Sequence, residues 1–447
     1  MADDKAKEYV LLGISLVFYA AGSLRYLVLF AVACMITVAI ARTMDACHNK
    51  EMRKLLLIVG ILFNAGLLAY YKYTGFALAT IGRMLGRPWQ ARDLLLPMGI
   101  SFYTFKAISY LVDVYRKTAI ITDSPMHDAL YLSFFAQIQS GPLARYNDMK
   151  FAGKNSRMFS NGVYRFMCGF NKKVLLANVL ARISQEVFGT PFENLSMAYA
   201  WLGSICYSLQ LFFDFSGYSD MAIGISNMFG YPCMENFKYP YMTESVAKFW
   251  RRWHISLSEW FRDYVYIPLG GSRGQGKLKV YFNLLVVWVL TGIWHGAAWN
   301  FIAWGLGYFV AISLERLTGM PKKLKTMVGK SLYRLVVLLF INFQWVLFNA
   351  KGLMEGLRFI KRMLVPAPNC LADQRAIFLL KDNVFFIIGA IVLCFPIIPW
   401  TREKLQGNKL GALLQQTIVT VAIIVLFIFA LSFVVAGYNN PFAYANF

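Results

Sequence analysis

Histidine is scarce in this sequence of 447 residues, and two of its four histidines stand in unusual surroundings. His254 and His295 each directly follow a tryptophan, a residue type that occurs only 11 times in the chain. His295 also lies within an apolar run, between Gly292 and Gly296, where an ionisable side chain by default marks a functional site. Because histidine titrates near neutral pH, His295 could deprotonate a hydroxyl group and activate it as a nucleophile toward a thioester. The competing interpretation is a packed histidine that serves only the fold.

Other catalytic and metal-binding signatures are missing from the sequence. It contains no Gly-x-Ser-x-Gly elbow and no HExxH motif, which argues against a serine hydrolase and a zinc metalloprotease. The seven cysteines are scattered without a CxxC pair, so we predict neither disulfides nor a metal site. His48 and His127 lie in polar connections and are interpreted as solvated residues.

A dense basic stretch covers residues 238–279 of an otherwise charge-poor chain. We predict a helix over residues 245–264, because its large apolar residues recur with helical spacing. These residues are Phe249, Trp250, Trp253, Leu257, Trp260 and Phe261. One interpretation is an amphipathic helix at the cytoplasmic membrane interface. The other is a platform for a phosphate-bearing ligand, since guanidinium groups and glycine-rich backbone suit phosphate oxygens. The candidate ligand-binding cations are Arg251, Arg252, Arg273 and Lys277.

The composition identifies the elements that must position these residues. Hydrophobic residues make up 58% of the chain and charged residues 15%. Typical soluble domains are about 45–50% apolar and about 25% charged, so this chain lacks the polar residues to cover a soluble surface. The same numbers exclude a disordered chain, a collagen-like chain and a small disulfide scaffold. We therefore predict an all-α polytopic integral membrane protein.

Basic residues outnumber acidic ones and give the chain a formal charge of +22. They cluster in short loops between apolar segments, which follows the positive-inside rule and does not resemble a nucleic-acid-binding face. Residues 42–54, 321–334 and 401–409 are therefore predicted to be cytoplasmic, as is the N-terminus. There the cations would also contact anionic membrane lipids.

Apolar runs of membrane-spanning length recur along the whole chain. The first is expected to be an uncleaved anchor, because many further runs follow it. Clear spans are predicted at residues 9–23, 25–41, 54–73, 196–213, 280–299, 300–316, 333–349, 384–400 and 415–436. Weaker runs, some of them predicted to be re-entrant, lie at residues 75–86, 94–112, 128–141 and 217–230. With no internal repeat and no linker, residues 1–447 are predicted to form one integrated membrane domain.

Two carboxylates, Asp214 and Asp220, also stand in an apolar context. Their spacing leaves two roles open. They could pair with the arginine-rich helix predicted over residues 245–264, or they could relay protons.

Several long segments, taken in order, resemble the membrane-bound O-acyltransferase (MBOAT) family. The strongest are FWRRWHISLSEWFRDYVYIPLGG (249–271) and TGIWHGAAWNF (291–301). The others are LPMGISFYTFKAISYLVDVYR (96–116), QSGPLARY (139–146), FDFSGYSDMAIGISNMFGY (213–231) and PFAYANF (441–447). Within the family, the sequence is most similar to the branch of the bacterial alginate O-acetyltransferase membrane component.

The resemblance implies a fold and an activity. The fold would be a ring of roughly eleven transmembrane helices, with re-entrant or interfacial helices, around a central funnel and tunnel. The catalytic histidine of the family falls on His295, and a second important histidine falls on His254. The donor would be cytoplasmic acetyl-CoA, with no metal, and the acceptor an extracytoplasmic polysaccharide, reached through a partner protein with a hydrolase-like domain. The protein would be a multi-pass protein of a bacterial inner membrane.

Three alternatives to polysaccharide acetylation stay open at this point. One is transfer of D-alanyl or another acyl group to a cell-wall polymer. Another is a lipid- or protein-acylating member of the same family. The third is a transporter that moves an acyl-bearing substrate without chemistry, although transporters often carry internal repeats and this sequence shows none.

Overall fold

The computed structural model describes residues 2–87, 94–153, 155–274, 276–366, 371–405 and 407–437, and all regular structure in these ranges is helical. The α-helices are α1 (Ala2–Ser23), α2 (Leu27–Ala46), α3 (Lys50–Met84), α4 (Ile100–Tyr115), α5 (Pro125–Ser133), α6 (Ser156–Asn171), α7 (Asn178–Gly189), α8 (Met197–Met228), α9 (Val246–Trp250), α10 (Ile255–Phe261), α11 (Lys277–His295), α12 (Trp299–Thr318), α13 (Met327–Asn349), α14 (Leu353–Leu364), α15 (Gln374–Leu393), α16 (Ile397–Lys404) and α17 (Lys409–Val435). The C-terminal motif PFAYANF and Cys370 lie outside the described residues.

Six helical segments are long and apolar enough to cross a membrane, among the residues that the structure describes. They are Ala6–Ala46, Lys50–Met84, Lys277–His295, Met327–Asn349, Gln374–Leu393 and Lys409–Val435. The first contains α1 and α2, which a short turn at residues 24–26 separates. The prediction of an all-α polytopic membrane protein is therefore confirmed.

Two pairs of predicted spans are in fact single long helices. Runs 54–73 and 75–86 join in α3, and runs 196–213 and 217–230 join in α8. The polar residues that interrupt these runs are accommodated by contacts with neighbouring helices, so they do not end the helix. In α8, for example, Asp214 pairs with Lys173 at 2.5 Å and is almost fully buried.

The helical segment from α6 to α7 was not predicted as a span. Lys172–Ala177, a π-helical turn, joins the two helices without a break in the chain direction. Glycines let this segment approach α8 closely: a Cβ on Gly162 would lie 2.6 Å from the Gly224 carbonyl oxygen, and one on Gly169 would lie 2.4 Å from that of Gly217. Such small-residue contacts are typical of helix pairs in membranes.

Arg53 links the ends of three helices. Its guanidinium donates hydrogen bonds to the carbonyl oxygens of Met44 at 2.8 Å, Val114 at 3.1 Å and Tyr115 at 3.0 Å. A cation at the carbonyl end of a helix is favourable. Because α2 and α4 both end at Arg53, where α3 begins, the three helices meet on one side of the molecule.

The predicted helix over residues 245–264 is broken in the structure. Helix α9 ends at Trp250, α10 begins at Ile255, and the π-helical Arg262–Tyr266 follows. His254 adopts a left-handed backbone conformation (φ 45°) between α9 and α10. The six large apolar residues of the predicted face are nevertheless all buried. The apolar face of the segment therefore packs against protein, and the single continuous helix predicted over residues 245–264 is wrong.

Candidate active site

His295 is the last residue of α11 and is fully surrounded by protein, with 2% of its surface exposed. Its imidazole contacts three aromatic rings nearly edge-on: Trp294 at 4.7 Å, Trp304 at 4.8 Å and Phe348 at 5.1 Å between ring centroids. These rings come from α11, α12 and α13. The hairpin of α11 and α12 thus buries the histidine, and α13 closes the aromatic box.

The glycines beside His295 have a packing reason within the chain itself. A Cβ on Gly292 would lie 2.5 Å from the carbonyl oxygen of Phe301, and one on Gly296 would lie 2.2 Å from the Phe301 ring. Helix α12 therefore approaches the backbone closely at both glycines. It holds the turn that carries His295 against its own hairpin partner.

Lys72 and Tyr73 of α3 contact the end of α11, and the sequence reasoning missed both. Lys72 Nζ donates to the carbonyl oxygen of Trp294 at 2.5 Å and to Ser101 Oγ at 3.3 Å. The Tyr73 hydroxyl donates to the carbonyl oxygen of Ile293 at 2.8 Å. The signal in the sequence was a lysine in a run otherwise long enough to span a membrane.

His254 is held by a polar network centred on Asn236. Its Nδ1 lies 3.1 Å from Asn236 Oδ1, which also accepts hydrogen bonds from the Ser256 backbone at 3.2 Å and the Ser256 hydroxyl at 2.9 Å. Because an amide oxygen only accepts, Nδ1 carries the hydrogen and Nε2 keeps its lone pair. Asn236 is fixed in turn by a hydrogen bond from Nδ2 to Ser219 Oγ on α8.

The lone pair of His254 Nε2 has no hydrogen-bond partner among the described residues, although the ring is fully buried. A buried acceptor without a partner is costly in a structural role. The arrangement suits a group that accepts a proton or a hydrogen bond from a substrate.

Trp294 lies next to both of the histidines predicted as site residues. Its indole lies 6.3 Å from the His254 ring and 4.7 Å from the His295 ring. The structure therefore brings together two residues that are 41 positions apart in the sequence.

Asp214 and Asp220 pair with a segment other than the arginine-rich helix that one interpretation named. Asp220 accepts from Arg165 at 2.7 Å and from Lys172 at 2.6 Å, and Asp214 pairs with Lys173. All three cations belong to α6 and the π-helical turn after it. These carboxylates join α8 to that segment.

A large basic cavity lies beside the broken helix. Its volume is about 1110 Å³, and Trp288 lines it. Its cations are Lys248, Arg251, Arg316, Lys322, Lys330 and Arg334. The Trp288 ring lies 6.3 Å from Trp304, which in turn contacts His295. One layer of indole rings therefore separates the cavity from the aromatic box.

Both carboxylates of this cavity are engaged by protein groups. Glu315 accepts from the backbone of Val246 at 2.6 Å and of Ala247 at 3.0 Å, so it caps α9. Glu244 pairs with Lys248 and with Arg334, and the Lys248 ammonium group lowers the pKa of the Glu244 carboxyl by hydrogen bonding. Even so, cations outnumber carboxylates along the wall, which suits a polyanionic ligand.

Of the four predicted phosphate-binding cations, Arg251 lines this cavity. Arg252 donates instead to the Met242 carbonyl oxygen at 3.0 Å, which is a fold contact. Arg273 and Lys277 are exposed and do not line the cavity. The sequence missed the contributions of α12, α13 and the loop between them, because these residues are distant in the chain from the basic stretch.

Comparison with known proteins identifies the class. Residues 122–357 match the model of the MBOAT, membrane-bound O-acyltransferase family. This range includes His254, His295 and every residue that lines the basic cavity. The chain belongs to this family and is an O-acyltransferase.

Several named bacterial proteins are similar to this chain. It is 37% identical over 375 residues to a protein of Pseudomonas aeruginosa named as a probable alginate O-acetylase, AlgI, which covers 81% of this chain and 71% of the relative. It is 35% identical over 417 residues to the peptidoglycan O-acetyltransferase of Helicobacter pylori, covering 86% of this chain and 79% of the relative. Similarity to the teichoic acid D-alanyltransferase of Bacillus subtilis is lower, at 29% over 283 residues, 58% of this chain and 68% of the relative.

Proposed function

We propose that this protein transfers acetyl groups from acetyl-CoA to a polysaccharide outside the cytoplasm of a bacterium, across its inner membrane. The observation that carries this proposal is the pair of buried imidazoles next to Trp294, with the rings of Trp304 and Trp288 leading from His295 to a basic cavity. Two relatives named for O-acetylation of a polysaccharide or of peptidoglycan support the choice of acyl group and acceptor.

In the proposed reaction, His295 acts as general base. It takes the proton from an acceptor hydroxyl, and the resulting oxygen nucleophile attacks the carbonyl carbon of the thioester. The tetrahedral intermediate collapses with cleavage of the carbon–sulfur bond, and the CoA thiolate takes up the proton held by His295. The products are an acetyl ester and CoA, so atoms and charge balance without a metal ion. His254, whose Nε2 lone pair is directed by the Asn236 network, assists by orienting a substrate hydroxyl.

The basic cavity is the proposed site for the phosphates of acetyl-CoA. Guanidinium and ammonium groups bind phosphate oxygens with charge-assisted hydrogen bonds. Arg251 belongs to this set together with Lys248, Arg316 and the basic loop between α12 and α13. Arg252, Arg273 and Lys277 remain candidates from the sequence, without a contact to the cavity that supports them.

The positive-inside rule supports a cytoplasmic position for this cavity, because Lys322 and Lys330 belong to the basic segment 321–334. Helix α12 ends at this segment, and His295 lies at the other end of the α11–α12 hairpin. A donor bound at the cavity would therefore extend its acetyl end away from the cytoplasm, toward the histidine. With α6 and α7 counted as one crossing, the described helices allow about eleven crossings around such a funnel.

The acceptor would reach His295 from the opposite side, either directly or through a partner protein with a hydrolase-like domain that carries the acetyl group onward. D-alanyl transfer to a cell-wall polymer is the competing acyl-transfer function, and the similarity to a D-alanyltransferase supports it. The two functions differ in the donor that they use.

The test is release of CoA from acetyl-CoA by membranes that contain the protein, with and without an O-deacetylated bacterial polysaccharide. We expect acceptor-dependent CoA release with acetyl-CoA, and none from membranes that lack the protein. Acceptor-independent permeation of labelled donor, with no CoA release, would contradict the proposal and favour transport. Turnover with a D-alanyl thioester alone would favour D-alanyl transfer.

A substitution in the basic cavity tests whether the cavity binds the phosphates of acetyl-CoA. Arg251→Gln removes one cation from the cavity and is expected to raise the KM for acetyl-CoA about 10- to 100-fold with little change in kcat, because a charged hydrogen bond is worth about 1.5–3 kcal/mol. Arg273→Gln is the matched control, since this arginine is exposed and outside the cavity. A rise of KM in Arg273→Gln, with none in Arg251→Gln, would place the phosphates near Arg273 instead.

A further inference from the structure

The carbonyl end of α11 is held by side chains from a distant helix. Helix α11 stops at His295, so its last carbonyl oxygens have no hydrogen-bond donor one turn further along. In a membrane such groups must be satisfied within the protein. Lys72 donates to the Trp294 carbonyl oxygen and Tyr73 to that of Ile293, so α3 satisfies the two carbonyls that directly precede the histidine.

Lys72 and Tyr73 differ in charge, although each donates a hydrogen bond to a carbonyl oxygen at the end of α11. Tyr73 shows that a neutral hydroxyl is sufficient to bind a carbonyl oxygen at this helix end. A lysine at the next position brings a positive charge into a membrane-spanning helix, which is costly. Within the described residues no carboxylate lies at ion-pair distance from Lys72; its contacts are the Trp294 carbonyl, Ser101 Oγ and, at 5.8 Å, the face of the Trp294 ring.

We propose that Lys72 is a positioning residue for the transfer reaction: by binding the Trp294 carbonyl oxygen it fixes the peptide that carries His295, and so fixes the direction of the imidazole. This inference rests on the proposed function of His295 as general base. The ammonium group also complements the partial negative charge at the carbonyl end of α11. Ser101, at the start of α4, restrains the ammonium from the other side.

If Lys72 positions His295, its removal should lower kcat and leave the binding of acetyl-CoA unchanged. A small misplacement of a catalytic group can cost about 100-fold in rate, so we expect Lys72→Met to lower kcat about 10- to 100-fold while the KM for acetyl-CoA stays unchanged. Lys72→Arg keeps a long cationic donor and is expected to recover a large part of kcat. Tyr73→Phe removes only one neutral hydrogen bond, so its expected loss is about 5-fold.

The experiment measures kcat and KM for acetyl-CoA in membranes matched for the amount of folded protein by fluorescence-detected size-exclusion chromatography. Thr74→Ala is the matched control, because the Thr74 hydroxyl bonds only to Tyr70 of its own helix. If Lys72→Met does not fold, Lys72→Gln replaces it under the same criteria. A kcat within about two-fold of wild type for the neutral variant, or a loss confined to KM, overturns the inference.

His295→Ala is assayed in parallel, so that the two proposals fail separately. If His295→Ala is inactive and Lys72→Met turns over normally, only the role of Lys72 is wrong. If His295→Ala turns over like wild type, the general-base assignment is wrong and the role of Lys72 is overturned with it.

Discussion

The two buried histidines are held in opposite ways. His254 is fixed through its side chain: Nδ1 is bound by Asn236, which is bound in turn to α8 and to Ser256. His295 has aromatic rings around its imidazole, and the polar contacts from α3 go to the backbone directly before it. The first arrangement determines a tautomer, whereas the second determines a position and surrounds the ring with low-dielectric walls.

This difference indicates a division of labour. A histidine whose Nδ1 is committed to an amide oxygen can offer only Nε2, and it offers it in one direction. A histidine in an aromatic box is shielded from bulk water, which strengthens electrostatic interactions with a reacting group. We therefore propose that His295 carries out the proton transfer and that His254 orients a substrate hydroxyl.

The largest effects are expected when each imidazole is removed in turn, which tests the proposed roles of His295 and His254 directly. We expect His295→Ala to lower kcat about 100- to 10,000-fold, the usual range for a general base, and His254→Ala to have the smaller effect. If both act in one step, the double variant should be little worse than His295→Ala alone. Acceptor-dependent CoA release measures both rates, with exposed His48→Ala as the control. A larger loss from His254→Ala would reverse the assignment.

The polar network around His254 provides the next test. Asn236→Ala removes the acceptor of Nδ1 and of both Ser256 donors, so the ring is free to turn and change tautomer. We expect kcat to fall about 10- to 100-fold, and to fall no further when His254→Ala is added. Asn383→Ala is the matched control, because Asn383 bonds within its own region of α15. Additive losses in the Asn236 and His254 variants would mean that the asparagine acts independently of the histidine.

The smallest expected effects concern the aromatic contacts. Aromatic pairs are worth about 0.5–1.5 kcal/mol beyond their buried area, so Phe348→Leu at His295 should lower kcat about 2- to 10-fold. Phe215→Leu makes the corresponding change beside His254, where the ring contact is 4.7 Å, and should have less effect because the Asn236 bond remains. Steady-state turnover at saturating acetyl-CoA compares the two. Equal losses would show that aromatic packing does not distinguish the two sites.

The sequence predicted the class of the protein correctly, and it singled out two histidines that the structure buries next to one tryptophan. Ionisable residues are rare in apolar runs, so His295 stood out on type and context alone. The apolar face from Phe249 to Phe261 was also recognisable from its spacing, and the structure buries all of it.

Features that depend on tertiary contacts could not be read from the sequence. The break at His254 is set by Asn236, whose carbonyl oxygen accepts from Ile255 and whose side chain binds His254 and Ser256, and no local pattern reports that contact. The segment from α6 to α7 was missed because it is amphipathic and carries several charged residues. Ion pairs with Asp214 and Asp220 of α8 stabilise its cations inside the protein. The contact of Lys72 could not be read from the sequence, because its partner is a backbone carbonyl 222 residues away.

The measurement that tests the central claim most directly is transfer of radiolabelled acetyl from acetyl-CoA into polymer, comparing wild-type and His295→Ala membranes matched for folded protein. The account predicts label in the polymer fraction with wild type and essentially none with the variant. Equal labelling by both would contradict it, since the imidazole of His295 would then take no part in the transfer.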